Sequence, residues 1–161
     1  MNVLDGPSAA SEPTRSPATT TRAEDAAATR AVGLRFAARL RPGDLVILSG
    51  ELGAGKTTFT QGLAEGLGVR GPITSPTFVL ARVHPSLTGG PALVHVDAYR
   101  LGSLAELDDL DLDASMDESV TVVEWGEGKA EALAEGRGGH YVVRFDRSRA
   151  DDVREITVEQ V

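Results

Sequence analysis

An α/β fold is what this sequence predicts, on three observations. The apolar run Leu45-Val46-Ile47-Leu48 leads straight into a glycine-rich loop that opens a helical pattern. Two further apolar runs of strand length, Leu93 to Val96 and Val120 to Val123, each end on an acid, Asp97 and Glu124. Apolar residues elsewhere recur at helical spacing, and that mixture is the pattern of a sheet covered by helices.

The elements follow in order along the chain. Residues 1–24 carry Pro7, Pro13 and Pro17 among Ser, Thr and Ala, with no aromatic residue, and are expected to form a disordered tail. Residues 25–161 are then one domain, the natural count for a chain of 161 residues. Val32, Phe36 and Leu40 lie on one helical face, with Thr29 expected to cap the helix and Pro42-Gly43 to end it. Leu45 to Leu48 is a buried strand. Phe59, Leu63 and Leu67 form a second helical face that Gly68 stops. After a breaker-rich loop, Thr77 to Val83 and Ala92 to Val96 pair as strands around a turn. Ser103 is expected to cap a short helix through Leu107, Asp108 to Glu118 to form a solvated connection, and Gly128 to Leu133 to form a further helix. Tyr141 to Phe145 and Val153 to Val158 close the chain as a hairpin.

Composition narrows the chemistry. With no cysteine, disulfides, thiolate metal sites and cysteine nucleophiles are excluded. No apolar run approaches the ~18 residues of a membrane span, the first residues lack a signal-peptide core, and a cytoplasmic protein without membrane contact is expected. The net charge of −8 argues against a direct grip on nucleic-acid phosphates, which needs a basic face. Only two of the 16 basic residues are lysines, Lys56 and Lys129.

One of those two stands where the loop's chemistry requires it. Gly50-Glu51-Leu52-Gly53-Ala54-Gly55-Lys56-Thr57 matches G-x-x-x-x-G-K-[ST] in the required order of strand, loop and helix. Gly50, Gly53 and Gly55 let the backbone turn its N–H groups onto an anion. The helix that starts near Lys56 and continues through Thr58 adds its positive end. Lys56 reaches the β- and γ-phosphates, and the Thr57 hydroxyl can hold Mg²⁺. The chain is therefore read as a P-loop nucleotide-binding protein.

Such a site also needs an acid for the magnesium shell and the attacking water. Asp97 and Glu124 both sit at strand ends, where a parallel sheet opens its ligand crevice, and spacing leaves open which of them serves. Thr74-Ser75-Pro76-Thr77 reads first as a plain turn into a strand. His84, His95 and His140 lack ligand spacing and are read as structural or surface residues. Trp125, the sole tryptophan, follows Glu124 and should report on the site by fluorescence. The single asparagine is Asn2, so no N-K-x-D guanine reader exists and adenine nucleotides are favoured.

Four blocks taken together resemble the TsaE (YjeE) family of P-loop ATPases, which serve bacterial tRNA threonylcarbamoyladenosine synthesis. They are Gly50 to Phe59, Ser75-Pro76-Thr77-Phe78, His95 to Leu101 and Val123 to Glu127. The likeness runs from about residue 25 to the C-terminus. It implies a central parallel sheet flanked by antiparallel strands and helices. It implies ATP hydrolysis inside a complex with the proteins TsaD and TsaB, with tRNA met only indirectly. It places Thr57 and Glu124 on Mg²⁺, sets Asp97 in the same catalytic cluster with Lys56, and makes the Ser75 loop switch-like. It also brings the segment before Thr29, including Ala26, and Arg154 toward the nucleotide.

Two other readings stand beside an ATPase subunit. One is a binding module gated by nucleotide, in which hydrolysis is incidental. The other is a small-molecule kinase, for which Arg100 is a candidate lid residue but no cluster of arginines follows.

Overall fold

The computed structural model describes residues 17–51, 53–73, 81–97, 117–124, 140–147 and 153–161. In order, these form β1 (Thr19–Ala23), α1 (Ala26–Ala37), β2 (Leu45–Gly50), α2 (Lys56–Leu67), β3 (Ala81–His84), β4 (Ala92–Asp97), β5 (Ser119–Glu124), β6 (Tyr141–Asp146) and β7 (Arg154–Gln160). The strands make one sheet in the order β1-β7-β6-β2-β5-β4-β3. Its centre, β6-β2-β5-β4, is parallel. Antiparallel β7 and β1 flank one side and β3 the other. The expected α/β architecture with its antiparallel flanks is present.

The apolar runs fold as they do because both of their faces are covered. Val46, Ile47 and Leu48 are fully buried, and β5 is buried along its whole length. Continuous apolar runs are what parallel strands need when neither face meets water. Val46, Leu48, Val120, Val122 and Val143 face the same core as Phe36, Phe59 and Leu63 of the two helices. Phe36 meets Tyr141 edge-on at 5.1 Å between ring centroids, and Phe59 meets Phe145 edge-on at 5.4 Å. That geometry sets ring edges against ring faces.

Two expectations about the start of the domain are corrected. The stretch read as tail contains β1, which pairs residue for residue with β7 from Thr19–Val158 to Ala23–Arg154. Only Ala23 of that strand is buried, so no apolar alternation marks it. Backbone pairing and the Thr20–Thr157 hydroxyl contact at 3.0 Å hold it instead. The cap of α1 is Asp25, not Thr29. The Asp25 carboxylate accepts the Ala28 N–H at 2.8 Å, as an N-cap acid does. Thr29 lies one turn inside the helix and is buried. The expected helices over Ser103–Leu107 and Gly128–Leu133, the Thr74–Thr77 loop, the start of the Thr77–Val83 strand, Arg100 and Trp125 fall outside the described residues.

The two helices touch backbone to backbone. A Cβ on Gly62 would stand 1.8 Å from the Arg30 carbonyl oxygen, and one on Gly33 would stand 2.1 Å from that of Phe59. Neither neighbour is a flexible side-chain tip, so the helices would have to separate. Gly62→Ala is expected to destabilise the fold by about 2–3 kcal/mol, the scale of core overpacking, although alanine is the better helix former. Denaturant unfolding measures it, and a variant as stable as the parent would show that the helices do not pack this closely.

His84 makes stability depend on pH. It is buried, with Nδ1 at 3.0 Å from the Arg70 carbonyl. Desolvation pushes its pKa down, the Arg70 hydrogen bond opposes this, and the nearby His95 and Arg82 push it further down. An imidazole with a depressed folded pKa resists protonation in the native state. Its contribution is complete above the unfolded value of about 6.5 and is lost as pH falls through the folded value. The melting temperature should therefore fall between about pH 7 and pH 5, and His84→Gln should flatten that slope.

Candidate nucleotide site

The sheet gathers the predicted residues along one edge. β2 lies between β6 and β5, and all three run the same way. Register places Gly50 beside Phe145, Leu48 beside Glu124, and Glu124 beside Asp97. The loop that follows β2 therefore springs from the same edge as the two acids. A parallel sheet puts its ligand crevice at this edge because the loops leaving neighbouring strands diverge there.

Local chemistry shapes the loop. Gly53 (φ +77°) and Gly55 (φ +104°) sit in the left-handed region, where a side chain is strained. Gly55 is the N-cap of α2 and offers no side chain to cap it. The first N–H groups of that helix are left for another acceptor. A Cβ on Gly55 would lie 3.3 Å from the Thr29 methyl. Ala54 is fully buried, and its N–H closes a turn on the Glu51 carbonyl at 3.0 Å. Thr60 Oγ1 donates to the Lys56 carbonyl at 2.8 Å, inside the first turns of α2. Thr57 and Thr58 are half-buried in the first turn, and Leu52 lies outside the described residues.

Lys56 crosses back over the loop. It is 5% exposed, and its Nζ donates to the carbonyls of Gly50 and Glu51, both at 2.8 Å. Burial pushes its pKa below the ordinary lysine range, and the negative charge of Glu124 draws it back up. A buried ammonium over a ring of N–H groups is a receptor for a polyanion.

Both acids are buried, Asp97 at 7% and Glu124 at 4% exposure. Glu124 Oε2 accepts from His95 Nε2 at 2.5 Å, and His95 is itself fully buried. Among the described residues, no three His, Asp or Glu side chains cluster closely enough to hold a metal alone. A P-loop magnesium asks less of the protein: a hydroxyl and an acid, with phosphate and water completing the shell. Thr57 at the loop and Glu124 beside Asp97 fit that smaller demand, as does a cradle that side chains at Gly53 and Gly55 would disturb.

The more distant residues divide. Arg154, at the start of β7, donates from Nη2 to the Gly53 carbonyl at 3.1 Å, so the structure brings it onto the loop. Ala26 sits exposed in the first turn of α1, one turn before Thr29. Two residues with a place at the site were not singled out by sequence. His95 lacks ligand spacing in the sequence, yet it holds Glu124. Arg147 brings its Nη1 within 2.9 Å of where a Gly53 Cβ would stand. The signal for Arg147 was present: it directly follows a strand that ends at the ligand edge.

The chain is similar to known proteins over most of its length. The family model for TsaE, described as threonylcarbamoyl adenosine biosynthesis protein, matches residues 23–156. The chain is 65% identical over 130 residues to the tRNA threonylcarbamoyladenosine biosynthesis protein TsaE of Streptomyces coelicolor, covering 80% of this chain and 88% of that one. It is 50% identical over 147 residues to the protein of the same name from Mycobacterium tuberculosis, covering 87% and 84%. The crystal structure of Bacillus subtilis YdiB superposes with a TM-score of 0.69 at 34% identity, covering 93% of this chain and 89% of that one.

Proposed function

The chain belongs to the TsaE family of threonylcarbamoyl adenosine biosynthesis proteins, and on that premise we propose that it is the ATP-binding and ATP-hydrolysing subunit of the machinery that makes this tRNA modification. The observation that carries the reading is the meeting of loop and acids: Lys56 over the Gly50–Thr57 loop, beside Glu124 and Asp97 at the same sheet edge. The loop binds the phosphates through backbone N–H groups and the Lys56 ammonium. Thr57 and Glu124 hold Mg²⁺, with Asp97 in the same cluster. Mg²⁺ held by these residues would supply positive charge beside the phosphates. Arg154, which donates to the Gly53 carbonyl, and the first turn of α1 around Ala26 would approach the nucleotide.

The subunit works through partners, TsaD and TsaB, in the cytoplasm. A chain with a net charge of −8 is a poor direct ligand for tRNA, and partner proteins would hold the nucleic acid. Among the described residues no helix is long and apolar enough to cross a membrane. Steady-state ATP turnover tests the reading. The chain alone should turn over slowly, and adding TsaD and TsaB should raise the rate at least about tenfold. Fast turnover alone, indifferent to those proteins, would refute it.

A further inference from the structure

We propose that His95 is a positioning residue for Glu124, holding its carboxylate in the orientation that receives Mg²⁺ and the attacking water. This rests on the ATPase reading above. It follows from where the sheet puts the ring. In the β4–β5 register His95 lies opposite Val122 and Asp97 opposite Glu124. His95, Asp97 and Glu124 therefore share one face, because residues two apart on a strand point the same way. That face also carries Leu48 and Val122 and packs against α2, whose first residue is Lys56. The ring is fully buried, so its nitrogens have no bulk water to turn to.

The two nitrogens are unequal. Nε2 lies 2.5 Å from Glu124 Oε2, while Nδ1 is buried with no hydrogen-bond partner. A carboxylate only accepts, so Nε2 carries the proton and donates. Nδ1 is then a bare lone pair, not an N–H stranded away from water. The tautomer is set by Glu124, and the strand and its packing fix the ring. One carboxylate oxygen is thereby committed to His95. The other is left for the metal or water, the division of labour in which a neighbour orients a ligand without touching the ion.

Three readouts test this. In the free ¹⁵N-histidine-labelled chain at about pH 8, long-range ¹H–¹⁵N correlation should show His95 as the Nε2–H tautomer, and Glu124→Ala should release it into tautomeric exchange. Calorimetry should show that the gain in ADP affinity brought by Mg²⁺ shrinks about tenfold or more in His95→Leu. His95→Gln, whose amide nitrogen reaches the Nε2 position, should keep it. With partners present, kcat should fall about 10–100-fold in His95→Leu, the usual cost of losing such a neighbour. His95→Gln should restore most of it. An Nδ1–H tautomer in the parent chain overturns the proposal. So does a Mg²⁺ gain that His95→Leu leaves intact, or Leu and Gln variants that fail alike. If His95→Leu does not fold, the parent tautomer and the Gln variant decide. If the parent shows no ATP turnover with its partners, the ATPase reading fails, and the tautomer and the Mg²⁺ gain still decide the role of His95.

Discussion

Lys56→Ala is expected to weaken Mg·ATP binding by at least about 100-fold, which corresponds to about 2.7 kcal/mol, and to remove turnover altogether. The ammonium is the positive side chain that the structure shows buried over the loop, bonded to the carbonyls of Gly50 and Glu51. Its removal takes away a charge that faces the phosphates and also the two bonds that draw the ends of the loop together. Lys56→Arg should fail nearly as badly. Two carbonyls at 2.8 Å from one nitrogen call for a compact donor, and the planar guanidinium fork cannot reproduce that point. The fold should survive, since the freed carbonyls border the solvent-facing loop and the core beneath does not use the charge. Titration of Trp125 fluorescence with Mg·ATP measures the binding. An unchanged curve for Lys56→Ala, with an unchanged melting profile, would count against the assignment.

Glu124→Ala separates binding from chemistry. ATP turnover with partners is expected to fall by a factor of about 10²–10³, the scale seen when a group stabilising transition-state charge is lost. Affinity for nucleotide without Mg²⁺ should change only a few-fold, because the loop and Lys56 remain. Glu124→Gln sharpens the result. It keeps the volume and an oxygen for His95 but loses the charge, so it should be nearly as slow as the alanine variant. The same variants decide between an ATPase and a module that ATP merely orders. If tRNA modification survives in Glu124→Ala while hydrolysis does not, the gated-module reading takes the place of the ATPase subunit.

Much of the site was legible because its chemistry is local. The Gly50–Thr57 pattern is contiguous, and its required strand and helix adjoin it, so the loop needed no tertiary information. The strand-end acids were legible for a related reason, since an apolar run that stops on Asp97 or Glu124 marks a ligand edge whatever the strand order. Harder to see were features that depend on a distant partner. β1 carries a polar pattern with a single buried residue, and only pairing with β7, more than a hundred residues away, makes it a strand. The apolar spacing begins only at Val32, which points to Thr29 as the cap and hides Asp25. The helix starts earlier so that Thr29 can lie against Gly55.

The sequence by itself determined a glycine-rich Gly50–Thr57 loop between strand and helix, two acids at the ends of apolar strands, and a likeness to TsaE that the family comparison upholds. Each of these is written in residues close together in the chain, where glycine conformation, helix polarity and strand burial are set by neighbours. Only the tertiary structure decided that β4 and β5 are adjacent and in register. That adjacency sets Asp97 beside Glu124 and lays His95 against the Glu124 carboxylate. Arg154 reaches Gly53 for the same kind of reason, across a hundred residues of chain. Strand order depends on which apolar faces cover one another, a balance over the whole core that no local window of sequence contains.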